Sequence, residues 1–166
     1  MAATSAKVIL GGTGATSVRT GVPLLDDLVV LLAAAGRFDI ELTVEPDEPE
    51  AEVDASGLAL GRALVQHLRA PGARGHGLGA MPADEALATI VVETSDRPLV
   101  VSNVDLAPSH PGGLDIDVAG SFVHGLAEAG GLTIHVRLIE GEDSQHVLAA
   151  IFKALGVALA DACAIV

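Results

Sequence analysis

The chain has 166 residues, half of them hydrophobic, with 9 basic against 22 acidic side chains and a net charge of −13. That much apolar material in one domain's length builds a core and argues against disorder. The acidic surface, with Phe38, Phe122 and Phe152 as the whole aromatic set, offers neither the basic patch nor the stacking rings of nucleic-acid binding, and it repels anionic lipid. A single cysteine, Cys163, excludes an intramolecular disulfide and a thiolate zinc site. The first residues lack the basic-then-apolar order of a signal peptide, which predicts a cytoplasmic protein.

Lys7-Val-Ile-Leu10 reads as a strand, Gly11-Gly-Thr-Gly14 as a turn and Thr16-Ser-Val-Arg-Thr20 as a returning strand, together a hairpin. Pro23 suits a first helical turn, and a helix over 24–35 follows with Gly36 as its cap. Phe38-Asp-Ile-Glu-Leu-Thr-Val44 alternates as a half-buried strand does. A second helix is predicted over 54–68, then a glycine-rich loop over 71–79 that carries His76. Two strands, 86–94 and 98–104, are predicted to pair around Ser95-Asp96. The tail gives a helix near 120–129, a strand over 132–138 and a long helix from about Ser144. The last 20 residues are long enough to span a bilayer, but Lys153 and Asp161 lie inside them. Each costs roughly 2.5 to 3.5 kcal/mol at mid-bilayer, so a buried helix is expected, with Cys163 as a small core residue.

The order repeats. Ala59-Leu-Gly-Arg-Ala-Leu64 and Ala154-Leu-Gly-Val-Ala-Leu159 match at an offset of 95. At an offset of 94, Leu32-Ala-Ala-Ala-Gly36 aligns with Leu126-Ala-Glu-Ala-Gly130, and Phe38-Asp-Ile40 with Leu132-Thr-Ile134. Three matches in register predict two similar α+β halves, about 5–90 and 91–166, sharing one core within a single domain over 1–166.

Several stretches carry a specific likeness in order along the chain: Gly12-Thr-Gly14, Thr20-Gly-Val-Pro-Leu-Leu-Asp26, Leu58-Ala-Leu-Gly61, Pro82-Ala-Asp-Glu-Ala-Leu87, Ser95-Asp-Arg-Pro98, Leu132-Thr-Ile-His135 and Ile151-Phe-Lys-Ala154. They resemble the imidazoleglycerol-phosphate dehydratases, manganese lyases of histidine biosynthesis. The resemblance implies a duplicated α+β half of the ribosomal protein S5 domain 2 type. It also implies a homo-oligomer built from trimers, with metals where subunits meet.

The family holds two metal ions in Asp-His, His-His-x-x-Glu, Leu-His and His-His-x-x-Glu motifs. At these places the sequence reads Asp26-Asp27, Glu50-Ala-Glu-Val-Asp54, Ile134-His135 and Gln145-His-Val-Leu-Ala149. His135 and His146 are the residual histidines, and Asp27, Glu50 and Asp54 are the carboxylates available to an oxygen-rich site suited to manganese or magnesium. Residues 39–54 hold eight acids and no base, a run that by itself reads as a solvated face. The expected cofactor is none. Arg97 and Lys153 match family positions whose cations grip a substrate phosphate, a sensible use of fixed charge. The family's Arg-x-Gly arginine falls on Gly75, beside Arg74.

No phosphate-cradling Gly-Lys-Ser/Thr loop, nucleophile elbow, zincin motif or Cys-x-x-Cys is present. His110 reads as a surface loop residue; His124 and Asp115-Ile-Asp117 receive no role, and no catalytic residue is assigned. The retained scaffold with a depleted ligand set predicts a non-catalytic structural or interaction paralogue. The alternative is a diverged metal-dependent lyase on imidazoleglycerol phosphate or another small phosphorylated substrate.

Overall fold

Apolar alternation locates strands but not their partners, and the partners are where the fold departs from the sequence reading. A computed structural model describes residues 3–106 and 117–166, so His110 and most of Asp115-Ile-Asp117 lie outside the described residues. The elements run β1 (Ser5–Ile9), β2 (Thr16–Arg19), α1 (Pro23–Gly36), β3 (Asp39–Thr43), α2 (Pro49–Leu68), β4 (His76–Ala83), β5 (Ala86–Thr94), β6 (Leu99–Ser102), α3 (Val118–Gly130), β7 (Leu132–Glu140) and α4 (Ser144–Cys163).

Two sheets form, ordered β1-β3-β2 and β4-β5-β7-β6. In the first, β3 lies antiparallel to β1 and parallel to β2. In the second, β7 lies antiparallel to β5 and parallel to β6. The predicted β1–β2 hairpin and the predicted β5–β6 pair are therefore both split by a strand arriving after a helix. The reason is burial. Ile40 and Leu42 of β3, and Leu132, Ile134 and Val136 of β7, are sealed from water, and a place with neighbours on both sides is what buries them. Asp39 supports the insertion, its Oδ1 accepting from the N–H groups of Thr13 and Ala15.

Both halves thus share the order strand, strand, helix, strand, helix: β1–α2 and β5–α4, with β4 added at one edge. β4 occupies much of the stretch expected as a glycine-rich loop, and His76 begins it. A Cβ on its Gly77 would strike the Ala158 carbonyl of α4, so this strand needs glycine to lie against the helix.

Helices α1 and α2 back the three-stranded sheet, α3 and α4 the four-stranded one, and the layers meet as α1 on α4 and α2 on α3. Helix α1 takes Gly36 into its last turn and places Arg37, not Gly36, in the left-handed cap at φ 55°. Helix α2 begins at Pro49, earlier than expected, which puts Glu50 and Glu52 of the acidic run in its first turn. Phe122 and Phe152 meet at the centre with ring centroids 5.1 Å apart, a spacing favourable to aromatic pairs. Helix α4 is long and apolar enough to cross a membrane, yet 67% of its most apolar window is buried inside the protein.

Candidate functional site

Most of the site residues suggested by the sequence fall on three surfaces. At the first, the first turn of α4 meets the β4–β5 turn. Asp143 caps α4 by accepting from the N–H groups of Gln145 and His146. Glu85 Oε2 accepts from the N–H groups of Glu142 and Asp143. Its Oε1 lies 2.5 Å from Nδ1 of His146, whose Nε2 is 3.4 Å from Asp84 Oδ2. The imidazole and the backbone donors hold the Glu85 carboxyl down at about 2 from an ordinary 4.5. Glu85 in turn raises the His146 imidazole above its ordinary value, against the opposing effect of burial, with lesser help from Asp143 and Asp84. Asp84 holds φ 51°, an uncommon backbone for a residue with a Cβ.

Two turns further along the same face of α4 stands Lys153, about 10 Å on by helical rise. Its Nζ donates to the Pro82 carbonyl at 2.6 Å, and among the described residues it makes no ion pair. Arg97 sits on the exposed turn before β6, where its backbone closes a Ser95 turn and its guanidinium reaches no carboxylate among the described residues. Arg74 does have a partner: Asp161 of α4 at 2.9 Å, whose other oxygen accepts from the N–H of Leu78.

The second surface is an open cleft between the beginnings of α2 and α3. Glu48, Glu50, Asp54, Asp117, Ser121 and His124 line it. It brings Glu50 and Asp54 together with His124, a histidine left without a role by sequence pattern alone. No spacing rule links positions 54 and 124; only the packing of α2 on α3 does.

The third surface is the outer face of the four-stranded sheet. His135 stands there in a cross-strand row, paired with Val91 of β5 and Val101 of β6, and Leu78 of β4 extends the row beyond Val91. Asp27 is exposed in the first turns of α1, outside all three groupings.

The five residues proposed for a metal are therefore scattered, except for Glu50 and Asp54. Among the described residues no three His, Cys, Asp or Glu side chains are placed to share an ion. Asp84 and Glu85 engage opposite edges of the His146 ring, so they diverge from one another around the imidazole. The donor set does not fit the histidine-rich centre implied by the resemblance. Cys163 is buried, its thiol pushed up to about 11 by desolvation, which suits a core residue and not a reactive one.

Comparison with known proteins gives a consistent answer. A profile of the imidazoleglycerol-phosphate dehydratases matches residues 20–159. A dehydratase of that name from an Exiguobacterium species is 37% identical over 157 residues, 92% of this chain and 80% of the relative. One from Syntrophobacter fumaroxidans is 35% identical over 93% of this chain and 80% of its own. In three dimensions the Staphylococcus aureus dehydratase superposes with a TM-score of 0.86 at 25% identity, over 97% of this chain and 93% of that one. The Pyrococcus furiosus protein gives 0.81 at 29% identity, over 96% and 89%. The scaffold and the sequence agree, and the chain belongs to the imidazoleglycerol-phosphate dehydratase family.

Proposed function

We propose that the chain is a diverged lyase of the dehydratase type, acting on imidazoleglycerol phosphate or another small phosphorylated substrate. The observation that supports this over a purely structural role is the relationship itself: 37% identity over 92% of the chain with a protein named for that reaction. Lys153 and Arg97 are the phosphate anchors of this reading. Among the described residues Lys153 has only a carbonyl to give up, and a phosphate is the stronger acceptor for an ammonium group. A second reading, the non-catalytic paralogue, is favoured by one specific observation, the replacement of imidazoles by Asp27, Glu50, Ala51 and Gln145 at positions that the resemblance assigns to metal ligands. Either form is proposed to assemble as a homo-oligomer of trimers through apolar surface.

The test is dehydration of imidazoleglycerol phosphate by the purified chain, with and without added manganese. The lyase reading expects turnover above the uncatalysed rate. It also expects Lys153→Met to raise KM about tenfold or more, since a hydrogen bond to a charged group contributes about 1.5–3 kcal/mol. A folded chain with no turnover under either condition sinks the reading of a lyase on imidazoleglycerol phosphate.

A further inference from the structure

We propose that this chain keeps no resident metal, and that the cluster Asp84–His146–Glu85 serves instead as a metal-free clamp joining the β4–β5 turn to the start of α4. The argument begins with His146, the one histidine surviving from a His-His-x-x-Glu motif. Both of its ring nitrogens face carboxylates of its own chain, Glu85 at Nδ1 and Asp84 at Nε2. An imidazole binds an ion through a free ring nitrogen, and here both nitrogens are already engaged by carboxylates of the same chain.

Among the described residues of the chain, nothing beside it completes a coordination sphere. Gln145 and Ala149 flank it where the motif would place further donors, and no three donor side chains converge among the described residues. Glu85 does the joining. One oxygen takes the N–H groups of Glu142 and Asp143 and the other faces the imidazole, so the turn, the cap and the first turn of α4 are tied by four contacts once Asp84 is added. A bound cation ties chain segments by gathering their oxygens and nitrogens; here an imidazole held between two carboxylates does so without one. The inference is independent of whether the chain turns substrate over, because neither readout below is an activity.

Manganese is titrated into the full chain and the free ion is followed by its paramagnetic resonance signal, with melting curves recorded before and after chelation. The expected result is a free-ion signal equal to that in buffer and a melting temperature that chelator does not move. Manganese retained at one ion per chain through desalting, or a melt lowered by chelator, overturns the metal-free half of the proposal. For the clamp, Glu85→Gln is compared with the wild type by amide hydrogen exchange. Faster exchange at Glu142, Asp143 and the first turn of α4 is expected, with the rest of the chain unchanged. Unchanged exchange at those amides overturns the clamp. Should Glu85→Gln fold poorly, His146→Gln is measured in its place, with the same two outcomes.

Discussion

His146 and Glu85 lie 61 positions apart, and their pairing sets a pH dependence with two edges. The carboxyl is depressed to about 2 from 4.5, so its contribution is complete above pH 4.5 and fades as pH falls toward 2. The imidazole is raised from 6.5, so its contribution is complete below pH 6.5 and fades as pH climbs through the raised value. The pair therefore stabilises most between about pH 4.5 and 6.5. Both partners are exposed, and the effect is a modest one that salt weakens. Melting curves of wild type and His146→Gln should differ most within that window and draw together as pH rises past the raised imidazole value. A gap that persists unchanged into alkaline solution would assign His146 a packing role only. The sequence showed the histidine but not its partner, because the β4–β5 turn returns Glu85 to α4 through tertiary packing. Likeness singled out Lys153 and Arg97 but not the Pro82 carbonyl that Lys153 holds, nor that Arg97 meets no carboxylate among the described residues.

At the scale of elements, the repeat was legible and its physical cause was not. Gly36 aligns with Gly130, and Gly61 with Gly156, and these four meet in two crossings. A Cβ on Gly36 would lie 2.5 Å from the Gly156 carbonyl oxygen, and one on Gly156 would overlap the Leu32 carbonyl. A Cβ on Gly61 would lie 2.8 Å from the Gly130 nitrogen. What reads as a short Ala/Leu/Gly coincidence is the pair of points where α1 crosses α4 and α2 crosses α3, backbone on backbone. Gly156→Ala should lower unfolding stability by about 1–3 kcal/mol, the usual cost of overpacking, and by more than Gly61→Ala, whose nearest neighbours leave more room. Urea denaturation of the two variants checks both magnitude and order. Helices were placed from the sequence to within a few residues because a 3.6-residue period is local information. Strand partners were misassigned in both halves because a period of two says which face is buried and nothing about which strand lies alongside.

At the scale of the molecule, the four-stranded sheet turns an apolar row outward. Leu78, Val91 and Val101 are 56%, 43% and 44% exposed, with Leu87 and Leu99 beside them. Exposed apolar patches of this kind mark association surfaces, and the homo-oligomer proposed above would use them. Light scattering should return a multiple of 16.7 kDa, reduced by Val91→Glu; a monomer at micromolar concentration would remove the assembly from the proposal. The same molecule also has a characteristic order of events on the way to its native state. In each half the central strand is the one made last, after a helix has crossed the layer: β3 must enter between β1 and β2, and β7 between β5 and β6. Neighbouring strands that close early on one another, as their short connections invite, would have to part again before the late strand is admitted. Native pairing thus waits on contacts far apart in the chain, which slows folding. Until β3 and β7 arrive, the flanking strands present open edges, and that interval is when this chain is most exposed to pairing with another copy of itself.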